Sequence, residues 1–378
     1  MRPVDVLIPT TMVGSYPRPR WYTRRAGGQD FREALMEQTW REEYLDAVHA
    51  IIGDQERAGL DIVTDGELFE DDLGGGAGWP EYVIQRLTGL GPRLPGRLPG
   101  TRDPSPIVNH FFLDIWASPT VVDRVGRGPL RFAYLYELAS RLTTRPVKAS
   151  FVDPGYVANR LHDRHYGGAF AAPHPDLLYD LAAVYNAELR ELADAGCRIY
   201  QTDLPLYSQI AMTGGPVSWE VATRAFNQMV AGVTDRLQIW MHFCRGRAFG
   251  QCSWGDIDFR AMAPRVFDAD FHVLNIECGD CQGPEMELLA QVPSDRAVAI
   301  GIINHRVLQV ETPQEVAERI RQALKYISPE RLYVTTFCGL GTTLPRTNAY
   351  YKLKALVDGT NLVRAELTGQ RELAASER

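Results

Sequence analysis

The stretch AVAIGIINHRVLQVETPQEVAERIRQALKYISPERLYVTTFCG, residues 297–339, decides the fold. It opens on a short run of branched apolar residues, AVAIGIINH (297–305), and closes on a second, LYVTTFCG (332–339). Between them, TPQEVAERIRQALKYI sets apolar residues three and four apart, the period of a helix with one buried face. Thr312 with Glu315 three residues on forms a capping box, and Pro313 takes the first helical position. Strand, helix, strand in that order is the unit of an α/β fold.

The same alternation extends back through the chain. Six further runs precede these two: TTMVGSYP (10–17), LDIVTDGEL (60–68), RPVKASFV (145–152), RIYQTDLP (198–205), LQIWMHFC (237–244) and HVLNIECGD (272–280). Helical patterns lie between most of them, among them FREALMEQTWREEYLDAVHAIIGDQERAG and PDLLYDLAAVYNAELRELADAG. Eight such units predict a (β/α)8 TIM barrel occupying residues 1–378 as one domain. One connection breaks the rhythm, because about 75 residues separate the second and third runs. DDLGGGAGWP (71–80) and GLGPRLPGRLPGTRDPSP (89–106) are dense in Gly and Pro and read as irregular loop, with IVNHFFLDIWAS (107–118) as a candidate hairpin strand. The expectation is a Gly/Pro-rich insertion after strand two, spanning about 70–130, that shapes the pocket on the catalytic face. Its Trp79, Phe111, Phe112 and Trp116 suit a flat or apolar donor or a carrier protein's docking surface.

Composition excludes several classes. The 378 residues are 45% apolar, with a mean hydropathy of -0.21, as in ordinary soluble proteins. A net charge of -7 and a pI near 5.7 argue against nucleic acid or an anionic membrane as partner. No stretch approaches the roughly 20 apolar residues of a membrane span. The start, MRPVDVLIPTTMVG, lacks a secretory signal's apolar core and cleavage site. Six cysteines without framework spacing fit reduced thiols in the cytoplasm.

Ionisable residues collect at the ends of the runs. In order they are Ser15, Asp65 and Glu67, Lys148 and Asp153, Asp203, His242 and Cys244, Glu277, His305 and Cys338. A barrel interior favours branched apolar side chains, so nearly one polar group per strand calls for partners or a ligand. His242, Cys244, Glu277 and Cys338 form a mixed N, S and O set that suits Zn2+. Each is weak alone: an H-x-C pair arises often by chance, and a lone buried Cys is more often a small hydrophobe than a ligand. Cys278 and Cys281 form a C-x-x-C beside Glu277, but their use as ligands needs a second site or an exchange of ligands. With Cys252 they read as bystanders, and Cys197 as packing.

These residues are specific enough for a family to be named. The chain resembles the C-terminal catalytic barrel of cobalamin-independent methionine synthase along almost its full length. The matching stretches are PTTMVGSYPRP, AGLDIVTDGE, QTDLP, MHFC, NIECGDCQGPEMELL, AIGIINHRVLQVETPQEV and ERLYVTTFCGLGTT, in the family's order and spacing. The resemblance implies zinc on His242, Cys244, Glu277 and Cys338. It implies a homocysteine carboxylate near Ser15 and its backbone, and an amino group between Glu67 and Asp203 with His305 nearby. The implied activity is methyl transfer to homocysteine, giving methionine through a zinc-bound thiolate. His305 is a proton donor or acceptor on the leaving group, or a hydrogen-bond partner of the substrate.

Three departures concern the donor side. The family's methionine synthases carry an additional N-terminal barrel, which is missing here. Their D-E-P after strand four reads Asp203-Leu204-Pro205, and a Trp-containing segment after strand three reads SFVDPGYVANR. The expected donor is therefore a methyl or alkyl donor other than polyglutamyl folate, a corrinoid protein among the candidates. Rival readings are a thiol alkyltransferase resembling epoxyalkane:coenzyme M transferase, a zinc-free barrel of the uroporphyrinogen decarboxylase type, and a non-catalytic binding barrel. Both acidic residues for an ammonium count against the first, and the complete ligand set counts against the other two.

Overall fold

The structure, a computed structural model, describes residues 4–22, 26–70, 80–95, 117–170, 172–203, 206–207, 210, 217–243, 259–278, 286–341 and 344–369. Its strands are β1 (Thr88–Pro95), β2 (Ala117–Gly126), β3 (Lys148–Val152), β4 (His162–Asp163), β5 (Ile199–Asp203), β6 (Gln238–Phe243), β7 (Val273–Glu277), β8 (Ala297–Ile303) and β9 (Leu332–Thr336). Six of them pair in parallel in the order β3-β5-β6-β7-β8-β9.

The first two runs complete the ring without becoming regular strands. Thr10 bridges Val334 of β9 and Val63 bridges Val147 beside β3, both in parallel. Asp61 and Ile62 donate their N–H groups to the Thr10 carbonyl, each at 3.1 Å, which joins the two runs to one another. The fold is a (β/α)8 barrel, with regular strands at six of the eight expected places. The other two are cut short by their own residues. The first reaches Gly14 and Pro17 within a few positions. The second enters Gly66 (φ 72°) and Glu67 (φ 56°), left-handed conformations that end a strand ladder.

Side chains alternate along every strand. Ile62, Ile199, Trp240, Val273, Ala299 and Tyr333 form an apolar cluster of their own inside the ring. The intervening Tyr200, Ile239, Met241, Leu274, Ile276, Val298, Ile300 and Ile302 belong to the larger core between ring and helices. Inward positions therefore run Ile199, Gln201, Asp203 along β5; Trp240, His242 along β6; and Val273, Asn275, Glu277 along β7. Each series becomes more polar toward the C-terminal end of its strand, where a barrel keeps its chemistry.

Amphipathic helices form the outer layer, among them Gln38–Ala58, Pro175–Asp194, Trp219–Val230, Pro313–Ala323 and Arg346–Thr368. The helix from Pro313 starts on the expected capping box: the Thr312 hydroxyl accepts from the Glu315 N–H and the Glu315 carboxylate from the Thr312 N–H. Among the described residues no helix is long and apolar enough to cross a membrane.

The insertion differs from its expectation. β1 and β2 form an antiparallel pair, and β4 adds to β2 in parallel. β1 is drawn from the Gly/Pro-dense segment that reads as loop. It is an edge strand with register shifts at Thr88/Leu90 and Leu90/Arg93, and Gly89 there takes φ 81°. Edges and bulges are where a sheet tolerates proline and glycine. Most of the candidate hairpin strand at 107–118, with Trp79, Phe111, Phe112 and Trp116, lies outside the described residues.

Candidate active site

Asp203 and His242 are register neighbours at the ends of β5 and β6. Ser150 Oγ donates to Asp203 Oδ2 at 3.1 Å, and Gln201 Nε2 donates to Asp203 Oδ1 at 2.7 Å. Burial raises the Asp203 carboxyl, against the pull of His242 and Lys148.

Glu67 reaches the same corner from the second run. Its N–H is held by Asp65 Oδ1 at 2.9 Å, within a turn whose left-handed Gly66 and Glu67 swing the side chain over the barrel. The carboxylate then lies across Gly14: a Cβ at position 14 would come within 1.8 Å of Glu67 Oε1 and 3.2 Å of Ser150 Oγ. Glu67, Ser150 and Asp203 thus share one buried corner, and glycine at 14 makes room for it.

Ser15 meets the loop after β9. Its carbonyl accepts from the Leu340 N–H at 2.7 Å, and a Cβ on Gly341 would lie 3.2 Å from Ser15 Oγ. Cys338 is buried in that loop, its carbonyl accepting from Thr336 Oγ1 at 2.7 Å.

His242 is the most exacting group. It is buried, and neither ring nitrogen has a hydrogen-bond partner among the described residues. Burial pulls its pKa down, but neighbouring Cys338, Asp203 and Glu277 raise it on balance. Glu277 is equally buried, and its Oε2 accepts from Arg306 Nη2 at 2.7 Å in a fully enclosed ion pair. His305 is buried in the turn after β8, where the Asn304 side chain accepts from the Arg306 N–H at 2.8 Å.

Of the residues expected from sequence, Glu67 and Asp203 are brought to one corner, and Cys338 and Glu277 lie around His242. Ser15 and His305 flank them on adjoining loops. Cys244, Cys252 and Cys281 lie outside the described residues. Among the described residues no group of three or more His, Cys, Asp or Glu side chains is arranged to hold a metal ion. Cys278 is buried in the layer between ring and helices, the opposite side of its strand from Glu277. Cys197 is core, its sulfur bonded to the Ile199 carbonyl and its pKa pushed up to about 12 by burial. Asp153 belongs to the fold: it caps the helix Pro154–Asn159 and accepts from Thr202 Oγ1 at 3.1 Å.

The sequence reading missed Ser150, Gln201, Asn275 and Arg306. Inward alternation from Asp203 and Glu277 points to Gln201 and Asn275. Nothing in the sequence marks Arg306. Lys148, noted only as polar, donates to the Met12 carbonyl at 2.6 Å and to Gln201 Oε1 at 2.8 Å, with its nitrogen 4.8 Å from the Trp240 ring centre. Burial brings it down to about 7, although Asp203 and Glu67 hold it up.

The sequence matches the family described as "Cobalamin-independent synthase, Catalytic domain" over residues 8–73 and 118–361. The chain belongs to that family. It is accordingly an enzyme, a transferase of methyl groups. The gap in the match, 74–117, falls within the insertion. Methionine synthase of Saccharolobus solfataricus is 30% identical over 366 residues, 96% of each chain, and that of Saccharolobus islandicus is 29% identical over 362. Both relatives are matched over 96% of their own length. Among solved structures, a B12-independent methionine synthase from Shewanella sp. W3-18-1, in complex with selenomethionine, is 25% identical with a TM-score of 0.73. The match covers 96% of this chain and 100% of that one. The Listeria monocytogenes counterpart, 18% identical with a TM-score of 0.64, shares the fold. A family described as cobalamin-independent gives no support to the corrinoid partner considered from sequence.

Proposed function

We propose that this member of the cobalamin-independent synthase family is a zinc-dependent methyltransferase that converts homocysteine to methionine. The carrying observation is His242, an enclosed imidazole beside Cys338, Glu277 and Asp203 whose two nitrogens have no hydrogen-bond partner among the described residues. An enclosed polar atom without a partner costs about 1–3 kcal/mol, which a bound cation would relieve. The donor set fits zinc, with His242, Glu277, Cys338 and Cys244 as the residues that would hold it. When bound, zinc supplies a positive charge that favours the ionised form of a substrate thiol.

The remaining steps belong to the protein. Glu67 and Asp203 receive the substrate ammonium through charge-assisted hydrogen bonds. Ser15 and the backbone facing Gly341 receive its carboxylate. The thiolate sulfur attacks the methyl carbon in line. A carbon–sulfur bond forms, the bond from methyl to donor breaks, and the electron pair departs with the donor. His305 either exchanges a proton with that leaving group or hydrogen-bonds the substrate. Enclosure of the corner by Gly14, Ser150 and Gln201 keeps water from the ammonium clamp. Six cysteines without framework spacing suit a reducing, cytoplasmic setting.

The test is metal analysis of the full-length protein and of H242A, with methyl transfer to homocysteine assayed beside coenzyme M. One zinc per chain, lost in H242A, with turnover on homocysteine and none on coenzyme M, is expected. Zinc retained in H242A would overturn the ligand assignment. Turnover confined to coenzyme M would replace homocysteine with a sulfonate thiol.

A further inference from the structure

Below the two carboxylates lies a polar chain that the reaction does not by itself require. Gln201 sits at its centre. Its Oε1 accepts from Lys148 Nζ at 2.8 Å and from Asn275 Nδ2 at 3.1 Å. Its Nε2 donates to Asp203 Oδ1 at 2.7 Å, to the Val13 carbonyl at 2.9 Å and to Ser150 Oγ at 3.3 Å. All five groups are buried.

A side-chain amide has two nearly isosteric orientations, and its neighbours choose between them. Lys148 Nζ and Asn275 Nδ2 both donate to the same Gln201 atom, so Gln201 turns its oxygen toward Lys148. The amide nitrogen then faces Asp203. In the opposite orientation the amide oxygen would face a carboxylate oxygen in a dry interior, two acceptors with no proton between them. Asp203 therefore takes one donor on each oxygen, from Gln201 and from Ser150, and its plane is fixed before substrate arrives. Lys148 itself is anchored from two sides, by the Met12 carbonyl and by the Trp240 ring.

We infer that Lys148 is a positioning residue: through Gln201 it aims Asp203 at the substrate's ammonium and so makes the site selective for an amino-acid thiol. This rests on the proposed function, in which Asp203 and Glu67 bind that ammonium. Lysine is an unusual choice for the task, since a buried cation is costly and a neutral donor could orient the amide too.

The experiment compares homocysteine with 4-mercaptobutanoate, the same thiol acid with hydrogen in place of the amino group. Both are titrated into zinc-loaded wild type, K148M, Q201M and the double variant, each also melted. Methionine is one atom shorter than lysine, unbranched and able to pack on Trp240, so the fold should survive. In K148M the homocysteine Kd should rise about tenfold or more, the range for a hydrogen bond to a charged group. The 4-mercaptobutanoate Kd should change less than about threefold, and the double variant should be no less selective than Q201M, as residues acting through one another are non-additive. A structural role would weaken both ligands together and lower Tm.

Selectivity retained in K148M, tighter homocysteine binding, or losses that add in the double variant would each overturn the inference while leaving the proposed function intact. Wild type that binds both ligands equally would overturn the ammonium clamp itself. If K148M fails to fold, Q201M alone decides: an unchanged preference for homocysteine removes the link to Asp203.

Discussion

Gly14 lacks a side chain where one would strike Glu67, and that absence defines the amine corner. An added Cβ would meet the far end of a flexible carboxylate, 1.8 Å from Oε1, with no backbone in the way. Glu67 can therefore yield without unfolding the barrel. G14A is expected to keep its melting temperature within a few degrees while homocysteine binding falls about tenfold, since the displaced carboxylate forfeits one charged hydrogen bond. Equal weakening of 4-mercaptobutanoate, in the same titration, would mean that position 14 acts on the pocket as a whole. Residues of this kind show how far sequence reaches. His242, Glu277, Asp203 and Cys338 were legible because ionisable groups at the ends of apolar runs are conspicuous. Arg306 was not, because its pairing with Glu277 joins positions 29 apart in sequence and leaves no local mark.

At the scale of elements, the short helix Pro154–Asn159 begins on a buried acid. Asp153 accepts from the Gly155 N–H at 2.8 Å, yet burial raises its pKa from 3.8 to about 7. Below pH 4 both folded and unfolded chains hold this proton. Between about 4 and 7 the folded chain holds it and the unfolded chain has lost it, so this group's contribution to stability declines as pH rises. Asparagine caps as well as aspartate and cannot ionise. D153N should match wild type in melts near pH 4, become progressively more stable than wild type up to about pH 7, and keep that lead at higher pH. A gap that stays constant across that range would show that Asp153 does not titrate with folding. The regular elements were the legible ones: the capping box at Thr312, the parallel order of six strands, and the long helices all follow from period and turn chemistry. β1 was not, because glycine and proline weigh against a strand unless it lies at an edge, and edge position is set by the partner strand.

Across the whole molecule, the ends of the barrel sequence hold each other. Arg364, in the last helix, donates to the Leu7 carbonyl at 2.7 Å and the Ile8 carbonyl at 3.0 Å and pairs with Asp61. Asp61 in turn accepts from the Thr10 N–H at 2.8 Å and its hydroxyl at 2.7 Å. Removing the guanidinium leaves a half-buried carboxylate without its cation, at a cost of about 1–3 kcal/mol. R364A should melt a few degrees lower, and exchange of the Thr11, Asp61 and Ile62 amides should quicken while that of β5 to β9 does not. Uniform acceleration would place the clamp in the general stability of the fold. The reason the first two runs were read as full strands is now apparent: their pairing depends on a closure between distant segments, which local patterning does not encode.

That closure also imposes an order in time. A ribosome releases residue 10 long before residue 334, at about 5–20 residues per second, so the first run has no partner on one side until almost all of the chain has emerged. β3 to β9 can pair with their neighbours as they appear, but Ser15 cannot meet Leu340, nor the Thr10 bridge form, until the end. The Ser15 side of the pocket and the loop that bears Cys338 are thus the last parts to assemble, and a nascent barrel stays catalytically silent until its final strand is in place.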